Sequence, residues 1–281
     1  MDAVMNRLCR LMTVSFLMLA VDSRLTNALA AASPTPLDIA KIDPAALNLA
    51  TVSTDGWVGT GQGGLMLSSG NASALAVNGK LDLARSDGIW RQALFLSALY
   101  GRNQSQVSGE RGEFRYQLDR QFAGRNYWFT GVDAVRDLFS GFDARVTISS
   151  GFGRRFIDSD KTKLSANFGI GYEMFREQTL LRDDHGDIIG RVSGPAVHSL
   201  AGTFGLKGER NLSANTKVLE NLAIITASGE TSIANDLALN VAMGGQLALS
   251  VGYGIRANSN PPTGAKKLDQ TTSVNIVYRL R

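Results

Sequence analysis

The chain has 281 residues, 44% of them hydrophobic and 19% charged, with 30 glycines against six prolines and a formal net charge of +4. A charge so near balance leaves no case for a nucleic-acid partner, and two histidines with one cysteine sharply limit metal and acid–base chemistry. Beyond the N-terminus no apolar run approaches the roughly 20 residues that a spanning helix needs, so a membrane span there has to be built from strands.

The first element in chain order is an export signal. Arg7 and Arg10 precede an apolar stretch from Leu11 to Val21, and a polar region then ends in alanine-rich sequence, as in a cleavable signal peptide. Ala28-Leu29-Ala30 and Ala30-Ala31-Ala32 are small-x-small cleavage sites, which puts the signal at residues 1–32. Cys9 falls inside it, after Asn6-Arg7-Leu8 instead of the small residue that precedes a lipoprotein cysteine. The exported chain is therefore expected to carry no thiol, disulfide or lipid anchor. Residues 33–55, with Pro34, Pro36 and Pro44 and no clear period, read as a periplasmic lead-in.

Residues 56–281 are a train of alternating segments. The second places Leu75, Val77, Leu81 and Leu83 on one face and Asn78, Lys80 and Asp82 on the other. The fourth sets Phe114, Tyr116 and Leu118 against Glu113, Arg115, Gln117, Asp119 and Gln121, and the last sets Val274, Ile276, Tyr278 and Leu280 against Ser273, Asn275 and Arg279. A period of two means strand, since a helix would mix these sets.

Turn sequences place twelve strands near 56–69, 72–85, 89–102, 111–122, 127–137, 143–156, 163–176, 196–208, 215–226, 231–243, 246–257 and 270–280. Ser86-Asp87-Gly88, Ala123-Gly124-Arg125-Asn126, Asp158-Ser159-Asp160 and Gly244-Gly245 are hairpin turns at every second connection. The intervening connections include the longer stretches 103–110, 177–195 and 258–269, although those near Gly70-Asn71 and Gly229 are short. Short periplasmic turns and longer outer loops characterise bacterial barrels. The fold class expected is therefore all-β: a transmembrane, up-and-down antiparallel β-barrel of about twelve strands, with both chain ends in the periplasm.

A soluble barrel or sandwich would use the same alternation with its faces reversed. The aromatic residues favour the membrane form. Trp57, Trp90, Phe156 and Tyr278 fall at the strand ends assigned to the periplasmic boundary and Tyr100 near the outer one, as the girdles of membrane barrels require.

The stretch Phe139-Ser140-Gly141-Phe142-Asp143-Ala144-Arg145, followed by Gly151-Phe152-Gly153-Arg154-Arg155-Phe156 and Asp158-Ser159-Asp160-Lys161-Thr162, resembles the YdiY-like salt-induced outer-membrane proteins. Gly56-Trp57, Ser68-Ser69-Gly70-Asn71, Leu99-Tyr100-Gly101 and Asn258-Ser259-Asn260-Pro261-Pro262 extend the resemblance over about Gly56 to Leu280. These motifs are turns and a loop, so they imply a family without naming a reaction. The family is one of unknown function, and its name implies induction by salt. One departure is the C-terminus, Tyr278-Arg279-Leu280-Arg281, which lacks the final aromatic residue that the barrel-assembly machinery commonly reads; Tyr278 and Leu280 would serve instead.

The face assigned to the lumen carries Lys80, Arg91, Arg115, Arg145, Arg155, Lys207, Arg256 and Arg279 against Asp82, Glu113, Asp119, Asp133, Asp143, Glu173 and Asp236. A one-signed lining would argue for an ion-selective pore. A balanced one predicts cross-barrel ion pairs and a narrow or occluded lumen, with a structural or envelope-stress role. The alternatives are a small channel for ions or solutes and, further off, a membrane-embedded lipid hydrolase. Glu220, beside Leu219 and Leu222, is not assigned to a face.

Other chemistry finds little foothold. Gly59-Thr60-Gly61-Gln62-Gly63-Gly64 matches the dinucleotide fingerprint, yet a proline-bearing linker precedes it and strand follows, so crowding in the first strand explains it better. A hydrolase would need a serine beside His198, whose same-face neighbours are Ala196 and Leu200. The loop Arg182-Asp183-Asp184-His185-Gly186-Asp187 offers oxygen ligands for a divalent cation, but its spacing matches no complete metal loop and a solvated tip is the plainer reading. No cofactor, metal or catalysis is expected. The partners expected are outer-membrane lipid and lipopolysaccharide, and the assembly machinery during biogenesis, around a monomer.

Overall fold

The computed structural model describes residues 56–69, 74–103, 106–137, 142–182, 188–261 and 267–280. Its regular structure is twelve strands: β1 (Val58–Ser69), β2 (Ala74–Asp87), β3 (Trp90–Asn103), β4 (Gln106–Ala123), β5 (Asn126–Asp137), β6 (Phe142–Asp158), β7 (Thr162–Arg182), β8 (Ile188–Asn211), β9 (Thr216–Ala227), β10 (Glu230–Gly244), β11 (Leu247–Asn258) and β12 (Leu268–Leu280). Each strand pairs antiparallel with its neighbours in sequence. β1 pairs with β12, from Gly59 opposite Leu280 to Ser69 opposite Gln270, so the sheet closes and leaves no edge. The alternation thus gives the up-and-down barrel it predicts. The signal, the lead-in and the loop holding His185 lie outside the described residues.

Turn chemistry sets one rim. Gly88 and Gly124 adopt positive φ, 57° and 54°, between β2 and β3 and between β4 and β5, a conformation that glycine reaches without Cβ strain. The strands are strongly inclined between the rims. Hydrogen-bonded partners followed from Gly64 through Asn275, Ser250, Asn240 and Lys217 end at Asn211, the last residue of β8 at the short-turn rim. Followed the other way through Asn78, Leu99 and Arg111, they end at Asp137, the last residue of β5 at the opposite rim. Such stagger accompanies strand tilt in a closed barrel.

The faces sort as membrane solvation requires. On the outer wall Leu200 is 81% and Ile170 78% exposed, whereas on the inner wall Asn275 is 2% and Val277 1% exposed. An apolar outer wall around a polar interior reverses the arrangement of a soluble barrel.

Three strands are considerably longer than the alternation predicts. β7 runs to Arg182 and β8 begins at Ile188, so most of the stretch expected as a loop over 177–195 is hairpin. Likewise β4 begins at Gln106, inside the loop expected over 103–110. The register shifts between Arg176 and Gln178 in β7, and between Gly101 and Arg102 in β3. A shift of this kind breaks the period of two where the strand continues, which hides the extension from a pattern reading.

Candidate functional site

The register assembles the lumen. Asp82, Phe95, Arg115, Asp133, Thr147, Glu173 and Ser199 follow one another as cross-strand partners from β2 to β8, and Lys80, Ser97, Glu113, Val135, Arg145 and Phe175 form the adjoining row. Arg91 faces Asp119, and Arg155 is joined through Ser165 to Lys207. Cross-strand partners share a face, so these residues all line the interior. Asp143 departs from the group. At a bulge near the loop rim it lies 3.7 Å from the exposed Arg136 and accepts a hydrogen bond from Ser193.

Toward the loop rim the lumen charges are tightly paired. Arg115 Nε lies 2.8 Å from Asp133 and its Nη2 2.5 Å from Glu113, while Arg111 contacts Asp137 at 2.9 Å and Glu113 at 3.3 Å. The Arg115 guanidinium also packs over the ring of Phe95. On β10 and β11, Arg256 Nη2 reaches both oxygens of Asp236, at 2.9 and 3.0 Å. At the short-turn end, Lys217 on β9 also pairs with Glu209 on β8 at 2.8 Å.

One pair crosses the barrel. Arg145 on β6 donates to Glu230 at 2.8 Å and Ser232 at 2.7 Å, both on β10, four strands away around the wall. Glu173 lies 3.8 Å from Arg145 Nε, Phe175 sits beneath the guanidinium, and Asn258 donates to the same Glu230 oxygen at 2.8 Å. The result is a strut across the loop-side mouth, held at both ends.

The interior holds a cavity of about 460 Å³ that reaches from Arg111, Asp137 and Asp269 toward the loops to Arg91 and Arg155 toward the short turns, with Lys80, Asp82, Asp119 and Lys207 also on its wall. Among the described residues Lys80, Asp82 and Lys207 make no ion pair within 4.0 Å. Lys207 on β8 is nonetheless within electrostatic reach of Asp82, Asp119 and Arg91 on the facing wall. Arg155 donates to Gln121 at 3.1 Å and lies over Tyr127, and Gln117 donates to Asp119 at 2.6 Å.

The charge that balances over the whole lumen is divided along its axis. Toward the short turns the strands present Arg91, Arg155, Lys163, Lys207, Lys217 and Arg279 against Asp82, Asp119, Glu209 and, on the rim, Asp158. Toward the loops they present Glu113, Asp133, Asp137, Glu173, Glu230 and Asp269 against Arg111, Arg145 and Arg256. Lys80, Arg115 and Asp236 lie between. The short-turn half is thus basic and the loop half acidic.

Trp57, Trp90, Tyr100, Phe156 and Tyr278 all stand exposed on the outer wall, and Arg120 caps the Trp90 ring. The pattern reading missed Phe122 and Trp128, which join the short-turn group; the indole of Trp128 donates to Ser150 at 2.9 Å. It also missed Arg111, Asp137 and Glu230. Arg111 and Asp137 sit at predicted strand limits, and Glu230 precedes the predicted start of its strand, so face assignment stopped short of them. Glu220 turns out to face outward, opposite Leu237 on β10.

His198 also faces outward, stacked on Tyr172 with ring centres 5.9 Å apart and opposite Met174, while Ser199 faces the lumen. Among the described residues, the neighbours of His198 on its own face thus include Met174 and Tyr172, and the adjacent serine points the other way. Crowding accounts for two glycines of the first strand: a Cβ on Gly59 would strike the backbone of Asp82 and Leu83, and one on Gly64 the backbone of Val274 and Asn275. Gly61 and Gly63 have open space around them.

A closed twelve-strand antiparallel barrel with an apolar outer wall and a charged lumen defines a β-barrel of the outer-membrane type. The chain belongs to the family described as "Protein of unknown function, DUF481", whose model matches residues 62–280. It is similar to the uncharacterized protein YdiY of Escherichia coli (strain K12), 23% identical over 158 residues, which are 55% of this chain and 56% of that protein. The matched region therefore spans about half the length of that relative. Among solved structures, the NanC porin aligns with a TM-score of 0.47 at 10% identity, covering 79% of this chain and 99% of that one. The translocator domain of autotransporter NalP from Neisseria meningitidis aligns at 0.42 and 14% identity, covering 80% and 88%.

Proposed function

We propose that this protein is a narrow, water-filled channel of the outer membrane that passes small hydrophilic solutes. The observation carrying this reading is that Lys80, Asp82 and Lys207 line a cavity of about 460 Å³ with no ion pair within 4.0 Å among the described residues. A charge without water or a close partner costs several kcal/mol. A lumen built around three such groups is hydrated, and a hydrated cavity whose lining reaches from Arg91 and Lys163 in the short-turn half to Arg111, Asp137 and Asp269 in the loop half supports a path. The membrane location draws on the apolar outer wall and the export signal read in the sequence. Lipopolysaccharide around the wall and the assembly machinery during biogenesis are the partners this location brings.

The second reading is an occluded barrel with a structural or envelope-stress role, and the Arg145–Glu230 strut is what favours it. A liposome-swelling assay with the refolded mature protein separates the two. A channel admits small sugars and amino acids at rates that fall with solute size; a plugged barrel leaves vesicles containing fully folded protein as tight as protein-free ones.

A further inference from the structure

We infer that the lumen from its middle to its short-turn end is a binding chamber for small oxyanions, phosphate or carboxylate, with Lys80 and Lys207 as its principal ligands. The inference deepens the channel reading and rests on it for access to the chamber.

The argument starts from what the cations are already doing. Arg111, Arg145 and Arg256 in the loop half, and Arg115 between the halves, are each satisfied by carboxylates at 2.5 to 2.9 Å. Lys80 and Lys207 are not, for no carboxylate lies within 4.0 Å of either among the described residues. They stand on β2 and β8, six strands apart and so on opposite walls, and both line the same cavity. Arg155 adds a third cation whose side-chain contacts are the neutral Gln121 and Tyr127. A solute between the walls would meet ammonium donors from both sides.

The surroundings set the sign and the size. The nearby acids are Asp82, beside both lysines, Asp119 beside Lys207 and Asp236 beside Lys80; Gln117 already donates to Asp119 and Arg256 already pairs with Asp236. The basic excess of this half lies beneath an acidic half, so field lines run along the lumen and concentrate anions at the short-turn end. A lysine ammonium is a mobile point charge with three donors, suited to an oxyanion that arrives with part of its water. The volume accommodates a small organic acid or phosphate and lies within the range of small-ligand sites.

The test is calorimetric titration of inorganic phosphate, and separately of succinate, into the detergent-folded barrel at low ionic strength, with folding checked by heat modifiability. The wild type should bind at least one of the two, and the Lys80→Gln/Lys207→Gln double variant should bind about tenfold more weakly. Glu230→Gln, in the other half, should bind as the wild type does. A folded wild type that binds neither anion overturns the chamber, as does equal affinity in the double variant. Single-channel recording on the same preparations keeps the two readings apart: conductance without anion binding sinks the chamber alone, and binding without conductance sinks the channel alone.

Discussion

The side-chain amide of Asn78 on β2 donates to Asn275 Oδ1 on β12 at 2.9 Å, passing over Gly64, the β1 residue paired with both. Asn275 in turn donates to Ser273 at 3.2 Å. The first and last strands of the chain therefore meet beneath a polar clasp on the lumen side, and the clasp fits only because Gly64 has no side chain. A Cβ there would land on the carbonyl of Val274 and on Asn275 Oδ1. Gly64→Ala should slow closure and destabilise the folded barrel by about 1–3 kcal/mol, while Asn78→Ala should cost about 1 kcal/mol. Urea unfolding in lipid vesicles, followed by tryptophan emission, measures both.

Arg115 holds two carboxylates, Glu113 and Asp133, inside the barrel. Arg115→Met would remove the ion pair of one of them, Asp133, and weaken the hold on the other, which keeps Arg111. For a hydrated lumen, as proposed, the expected loss is about 1–3 kcal/mol, the range for a broken charged hydrogen bond. The same unfolding assay should place this variant below the wild type, with the difference shrinking as salt rises.

Arg145→Ala removes the strut and leaves Glu230 hydrogen bonded to Asn258 and Ser232. With the mouth unbarred, the unit conductance should rise, roughly doubling if the strut sets the narrowest point. Glu230→Gln leaves Arg145 a neutral acceptor across the lumen and should raise it less.

Ile170 stands midway along β7 on the outer wall, between Phe168 and Tyr172. Ile170→Arg puts a charge against lipid at that depth and should cost about 2–4 kcal/mol. The readout is the urea midpoint in lipid vesicles. An unchanged midpoint would mean that this wall does not face lipid.

Much of this architecture is legible in the sequence, and the reason is the period of two. Only a strand sorts Leu75, Val77 and Leu81 onto the face opposite Lys80 and Asp82; a helix would mix them. What is not legible is whatever depends on register. Residues 177–195 read as a loop because a shift at Arg176 breaks the alternation just where β7 continues. The lumen charges read as balanced because a sequence gives their sum. That Lys207 stands at the same end as Arg91 and Arg155, and Glu230 at the same end as Asp137, follows from strand direction and stagger. Asp143 misleads for a similar reason, since the bulge beside it turns a lumen position into a rim contact with Arg136. The Arg145–Glu230 strut joins residues 85 apart in sequence, and no local pattern announces it.

The most direct test of a hydrated lumen is single-channel current through the refolded mature protein in a planar bilayer. The account predicts discrete, small steps that scale with salt and differ in size between the two polarities, because one half of the lumen is basic and the other acidic. A barrel shown by heat modifiability to be folded and inserted, yet silent at every salt concentration, would contradict it.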